Sequence, residues 1–467
     1  MAGLAAAEAA SGELAAGAAP RVTVVEAAGR PGGVLGTVRR DGWLVERSAD
    51  TFLAARPEAI DLARRVGLET EFIGVDPDVR RALIWSPAGP LPAPAGFRLL
   101  APSRIGSILA TPLLSPWAKL RVLLEPCVPP RRLPPPDDDE SLERFVVRRL
   151  GREAFERLVQ PLAAGIWTAD PARLSMAAAC PEFLAMERES GSLWRGERNR
   201  QRTAARGGEV AGARYGQFLT LAGGMETLPA RLADVLQGRG VRFEHGTATA
   251  VARATDGGWQ VTIARAAEPR PLAADAVVIA TPAPAAARLL AGTDPALASE
   301  LAAIEYAGSA VVSLGFRRAD VAHPLDAAGM VVPRSAGRRI LAVSFSSAKF
   351  PGRAPAGCVL LRVFLGGALD PDAVLLDDRA LVERAREELK PLLGVRGEPL
   401  VEQIDRWHGA MPQYHVGHLA RVAAIEAAAD RLGGLALAGA AYRGVGIPQV
   451  IASGRTAAER VMRAVGR

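Results

Sequence analysis

The sequence predicts an α/β protein with α+β insertions: a discontinuous Rossmann-like domain, an antiparallel-sheet domain and a helical domain. Three observations predict it. Residues 21–26, RVTVVE, are a β-branched run that ends in an acid behind a helix-forming start. That is the second half of a βαβ dinucleotide unit, in which the acid meets a ribose hydroxyl. Residues 275–281, DAVVIAT, and 435–438, LALA, read as further short buried strands, and the second runs through a glycine-rich loop into a helix. Between them, over 300–407, strands alternate with turns as in a mostly antiparallel sheet.

Size and composition narrow the classes. A chain of 467 residues is too long for one simple core. Its net charge is +7 and its pI about 9.9, which favours acidic ligands or an anionic membrane surface. The arginines are scattered, with no basic helix or aromatic-basic platform, so nucleic acid is not expected as a partner. Three isolated cysteines, Cys127, Cys180 and Cys358, speak for a reducing compartment and against a disulfide framework or a zinc site. No apolar run reaches the roughly 20 residues that span a bilayer. The expectation is a cytoplasmic protein, at most peripheral to the inner face of a membrane.

Taken in order, residues 1–17 are small and helix-forming, and Gly3 stands where the last glycine of G-x-G-x-x-G belongs. The first strand and the other two glycines of that motif are expected upstream of Met1. Gly32-Gly33 and the strand at 43–46 continue the same domain, and 57–71 reads as an amphipathic helix. Residues 97–126 mix Leu, Ile and Trp117 with Arg98, Arg104, Lys119 and Arg121, a pattern that suits either a membrane-facing surface or a helical core. Residues 129–140 read as an acidic, proline-rich surface loop, 141–163 as one helix capped by Ser141, and 195–212 as an exposed loop. Two hairpin strands, 247–254 and 259–264, turn at Asp256-Gly257-Gly258. Further strands are expected at 310–316, 330–332, 339–344, 359–364 and 401–407, with a helix over 377–393. The resulting division is 1–78, 216–285 and 405–467 for the cofactor domain, 79–90 and 286–404 for the sheet domain, and 91–215 for the helical, membrane-binding domain.

No nucleophile–base set, metal cluster or paired-carboxylate motif stands out, which points to a cofactor that carries the chemistry. At 439–446 the backbone is bare where a helix begins, a pattern that suits either an electron-rich ligand edge or an ordinary strand-to-helix turn.

Several motifs together resemble the oxygen-dependent protoporphyrinogen oxidase family, FAD enzymes within the amine-oxidase-like flavoproteins. They are Tyr442-Arg443-Gly444-Val445-Gly446-Ile447-Pro448 with Ile451-Ala452-Ser453-Gly454-Arg455, and Met411-Pro412-Gln413-Tyr414 with Gly417-His418. Phe350-Pro351-Gly352-Arg353, Leu361-Arg362-Val363-Phe364, Ala169-Asp170-Pro171 with Leu174-Ser175, and Gly223-Gly224-Met225 with Thr227-Leu228-Pro229 complete the set. The resemblance covers nearly the whole chain.

It implies FAD, with Gly3 in the phosphate loop and Glu26 and Ala27 at the adenosine ribose. Gly32, Gly33 and Val34, with Ser48, Ala49, Asp50 and Thr51, would run along the pyrophosphate and flavin. Ala248 would meet adenine, and Trp407, Ala440, Val445, Gly446 and Ile447 would border the flavin. Arg98 would pair with a propionate, and Gly329, Val331 and Phe364 would face the tetrapyrrole. No residue is expected to act as nucleophile or to bind a metal. Ser48-Ala49 departs from the family's Gly-Pro. The implied reaction is oxidation of protoporphyrinogen IX by O2, with hydrogen peroxide released. Coproporphyrinogen III oxidation is the alternative, a carotenoid desaturase or amine oxidase is a more distant one, and a non-catalytic tetrapyrrole- or membrane-binding protein stands outside the class. The oligomeric state stays open, with a homodimer as the candidate assembly.

Overall fold

A computed structural model describes residues 1–12, 20–131, 139–206, 218–264 and 268–466. The first helix, Ala2–Ser11, leads to the strand Thr23–Glu26, which pairs in parallel with Arg242–His245. A second parallel ladder joins Val277–Ile279 to Leu435–Leu437. The first helix packs on both ladders and on the closing helix Ile447–Ala464. This is the Rossmann-like part, assembled from the start, middle and end of the chain.

The two helices touch through small residues. A Cβ on Gly454 would stand 2.1 Å from the Ala2 carbonyl oxygen and 3.1 Å from the Ala5 Cβ, so only a bare backbone allows this approach. Buried Glu8 anchors the pair, accepting from Arg65 at 2.9 Å and Arg455 at 3.2 Å.

The inserted sheet has seven strands: Val401–Pro412, Tyr306–Arg317, Cys358–Gly366, Ala342–Phe345, Gly329–Val331, Ala82–Ser86 and Gly89–Pro92, in that spatial order. It is antiparallel except where Gly329–Val331 meets Ala82–Ser86. Alternation along the strands gives it two unlike faces. One face buries Ala310, Val312, Leu314, Phe316, Leu361, Val363 and Leu365 against the helix Asp378–Leu393. The other carries Gly329, Val331, Arg362, Phe364, Asp405 and Trp407 and is turned towards the cofactor domain.

Several sequence expectations are corrected. The region 141–163 is not one helix. It breaks at Gly151 (φ 94°), after Leu142–Leu150, and resumes as Arg152–Ala154, a π turn Phe155–Val159 and Gln160–Trp167. The loop expected at 195–212 is a helix, Leu193–Arg206, as far as it is described. Its start is secured by Glu125, which accepts from Leu193 N–H at 2.9 Å and Ser192 Oγ at 2.6 Å, while Leu193, Trp194 and Glu197 are buried. Propensity at 195–212 is polar, so this distant acid was not visible in the sequence. Residues 207–212 of that expectation, and 132–138 of the proline-rich one, lie outside the described residues. The helix at 57–71 stops at Arg65 and gives way to a 3-10 turn, Glu69–Glu71. The hairpin at 247–264 gains a third strand, Arg270–Ala274.

Gly454→Ala forces the first and last helices apart. It should cost about 1–3 kcal/mol of stability, the usual range for overpacking, seen as a lower thermal midpoint by calorimetry. An unchanged midpoint contradicts the close contact.

Candidate functional site

The segment that follows the strand Trp43–Glu46 crosses the inner face of the sheet and is held there at each step. Arg47 pairs with buried Asp405 at 2.6 Å, and its carbonyl accepts from Trp407 Nε1 at 3.0 Å. The Ser48 carbonyl accepts from Arg362 Nη2. Asp50 accepts from Lys349 at 2.6 Å and lies 3.2 Å from Arg362 Nη1. Burial would raise the Asp50 carboxyl, but Lys349 and Arg362 outweigh it and hold the group well below the usual carboxylate range.

Strand register fixes what stands beside these anchors. Arg362 pairs with Ser344, which pairs with Gly329; Phe364 pairs with Ala342, which pairs with Val331. Partners in a ladder share a face, so Gly329, Val331 and Phe364 form one patch, with Arg362 next to it and 5.3 Å from the Phe364 ring. The helix Gln160–Trp167 passes beside Val331, where a Cβ on Gly165 would lie 3.9 Å from a Val331 methyl group. Val331 and Val445 both pack on the helical-domain core.

The loop between Leu437 and Ile447 is brought near this patch through Val445, which packs on the same helical core as Val331. Gly439 has φ 132° and open space where a Cβ would lie, and the closing helix starts at Gly446 with no side-chain cap and no acid in its first turn. Its free N–H groups and positive end suit an electron-rich ring edge. Tyr414 spans the loop: its hydroxyl donates to the Ala440 carbonyl and accepts from Gly444 N–H at 2.9 Å. His418 stacks on Tyr414 at 4.1 Å and places Nε2 3.0 Å from the Tyr442 carbonyl oxygen. A carbonyl only accepts, so Nε2 carries the proton. Burial pulls the imidazole down to about 4, which keeps it neutral.

The remaining expected contacts are distributed along one edge. Glu26 ends its strand with one carboxylate oxygen accepting from Ala28 N–H at 2.9 Å, and exposed Ala27 follows it. Ala248 lies on the strand Thr247–Arg253, which follows directly after the partner of the Glu26 strand. Gly32 is buried, Gly33 and Val34 are exposed, and Ser48 Oγ donates to the Val34 carbonyl at 2.6 Å, tying the two loops together. Ala49 is exposed and Thr51 half-buried. Gly3 lies in the first helix, where a Cβ would come 3.2 Å from Ala280 Cβ, the close helix–strand packing expected of a phosphate-loop glycine. Bare backbone at Gly439, a free helix start and an acid at a strand end fit a flavin dinucleotide.

Arg98 is placed differently from its expected role. It donates to buried Glu197 at 3.1 Å, lies 3.8 Å from Glu182, and covers the Phe183 ring at 4.6 Å. Its charge is already partly balanced inside the helical domain. Five side chains central to this geometry, Lys349, Arg362, Asp405, Tyr414 and His418, were given no role from the sequence. Arg362 had a usable signal, as a cation inside the apolar strand run LLRVF. Among the described residues no cluster of His, Cys, Asp or Glu can hold a metal ion.

Comparison with known proteins gives a consistent result. The family model described as flavin containing amine oxidoreductase matches residues 1–462. A coproporphyrinogen III oxidase from Bacillus subtilis is 33% identical over 93% of this chain and 90% of its own length. One from Propionibacterium freudenreichii is 35% identical over 95% and 86%. A crystal structure described as that of a "putative protoporphyrinogen oxidase" from Exiguobacterium sp. 255-15 superposes with a TM-score of 0.84, at 29% identity, over 99% of this chain and 96% of that one.

Asp50→Asn leaves Lys349 and Arg362 without their counter-charge and should cost about 3–5 kcal/mol at neutral pH. The depressed carboxyl stabilises the fold above about pH 4, the unfolded value, and that contribution drains away as pH falls below it. Thermal midpoints at pH 7 and pH 3 should therefore differ less in the variant than in wild type. Parallel pH profiles contradict the assigned ion pairs.

Proposed function

This chain belongs to the flavin containing amine oxidoreductase family and takes FAD as its cofactor; from that premise we propose that it oxidises a porphyrinogen, with coproporphyrinogen III preferred. The observation that carries the substrate is the similarity, over nine-tenths of the chain, to bacterial proteins named for coproporphyrinogen III. Protoporphyrinogen IX, implied by the sequence motifs, is the second reading, favoured by the Exiguobacterium structure. The two substrates differ in carrying four or two propionates, so extra cations around the cleft mouth would favour the coproporphyrinogen.

In this reading Glu26 and Ala27 hold the adenosine ribose, Ala248 lies at adenine, and Gly3 packs the phosphate end. Gly32, Gly33, Val34, Ser48, Ala49, Asp50 and Thr51 follow the pyrophosphate and flavin. Trp407, Ala440, Val445, Gly446 and Ile447 border the ring. The bound flavin supplies the redox chemistry, taking up hydride equivalents from the substrate and passing electrons to O2 to give hydrogen peroxide. The protein's part is positioning: half-buried Gly329, Val331 and Phe364 offer an apolar, aromatic surface to the tetrapyrrole, and a ring laid on them would displace water. A propionate reaches Arg98 only in competition with Glu197. No side chain need act as a nucleophile.

Peripheral membrane contact is part of the proposal. No helix among the described residues is long and apolar enough to cross a bilayer. Ile105, Leu109, Trp117, Leu120 and Leu124 are nonetheless exposed, Trp117 at 80%, on the helices Ile105–Ala110 and Pro116–Leu123 and just beyond, with exposed Arg104 beside them.

Porphyrin fluorescence with each porphyrinogen should give a kcat/KM about tenfold or more higher for coproporphyrinogen III, a difference of about 1.4 kcal/mol. A preference for protoporphyrinogen IX reverses the choice, and turnover of neither by protein that holds FAD points to a desaturase or amine oxidase. Protein lacking flavin absorbance near about 450 nm after FAD is added favours the non-catalytic reading. For the surface, the protein should sediment with anionic phosphatidylglycerol vesicles, and Trp117→Ser should reduce the bound fraction. Binding that is absent, or unaffected by the change, removes the membrane proposal.

A further inference from the structure

Residues 411–418, MPQYHVGH, join three parts of the molecule. Gln413 N–H donates to the Glu305 carbonyl at 2.9 Å, next to the sheet. Ser175 N–H donates to the Tyr414 carbonyl at 2.7 Å, and Val416 N–H to the Arg173 carbonyl at 2.9 Å, both on the helical domain. Gly417 N–H donates to Asp139 Oδ2 at 3.1 Å. The backbone of this segment is therefore fixed from outside the cofactor domain.

From that fixed backbone two buried side chains reach the loop that faces the cleft. Tyr414, 2% exposed, bridges Ala440 and Gly444 through its single oxygen, and His418 holds Tyr442 between them. Each loop group so held is a backbone carbonyl or amide that would otherwise lack a protein partner on that side. A loop containing Gly439 and Gly444, both at positive φ, has little stiffness of its own. Its shape is set by what grips it.

We infer that Tyr414 is a positioning residue for the flavin: through its hydroxyl it fixes the Ala440–Gly444 backbone that forms the ring's wall, with His418 stacked behind it. The inference rests on the FAD reading of that loop. Tyr414 acts without touching the reacting atoms. It transmits the rigidity of the helical domain and sheet to a wall held otherwise by buried Tyr442 and by the pairing of Arg443 with Glu426.

Tyr414→Phe keeps the ring stacked on His418 and removes only the oxygen, leaving the Ala440 carbonyl and Gly444 N–H unpaired. Tyr306→Phe is the control: Tyr306 packs on the cluster that holds Ala441 and Tyr442 of the loop, but its hydroxyl accepts from Ala283 N–H at 2.9 Å rather than from the loop backbone. FAD dissociation constants are measured by flavin fluorescence, with the shape of the bound flavin's visible band and the apoprotein melting temperature alongside. Tyr414→Phe should weaken FAD binding about tenfold, in keeping with one lost bridging hydroxyl, and broaden the visible band, with an apoprotein melting temperature close to that of Tyr306→Phe. Tyr306→Phe should bind FAD like wild type. Equal FAD affinity in Tyr414→Phe and wild type overturns this inference alone, as does equal weakening in both variants. Wild-type protein that takes up no FAD overturns the cofactor reading and this inference together.

Discussion

The cleft depends on the ionic fastening of residues 47–50 to one face of the inserted sheet. Asp405 holds Arg47, Arg362 holds the Ser48 carbonyl, and Lys349 with Arg362 holds Asp50. Buried charges are costly unless each finds its partner, so the two domains are tied together in one registration or pay heavily for any other. The alternation of the strands then does the rest. With Arg362 turned towards the cofactor domain, Phe364 must turn the same way, and pairing brings Val331 and Gly329 into the same patch.

The opposite wall is built on another principle. The sheet face is rigid by its ladder and specific by its side chains, whereas residues 439–446 present mostly backbone. Such a surface allows a flat ring to come close and offers N–H groups to its electron-rich edge, but it cannot define its own shape. Tyr414 and His418 contribute to that definition from the junction at 411–418, beside buried Tyr442 and the Arg443–Glu426 pair.

The Rossmann-like parts were legible because short apolar strands ending in an acid or a glycine turn have few other uses. The sheet strands were legible from their alternation, although 401–407 proved to run on to Pro412. What failed to show was long-range: the start of the helix Leu193–Arg206 relies on Glu125, far away in sequence, and the break in 141–163 relies on one glycine within an otherwise helical pattern. The same limit applied to the site. Glu26 and the closing loop were visible as local patterns, while Asp405, Lys349 and His418 gain meaning only from partners on other elements. Arg98 shows the converse, since its setting beside Glu197 could not be read from a basic stretch with no acid nearby in sequence.

The central claim is that the sheet face at Gly329, Val331 and Phe364 and the loop at 440–447 are two walls of one cleft. A crystal structure of the protein with FAD and the product porphyrin tests it most directly. The account predicts the flavin ring along 440–447 and the porphyrin between it and Phe364. A porphyrin bound away from this sheet face, or a flavin ring that does not reach the loop, would contradict it.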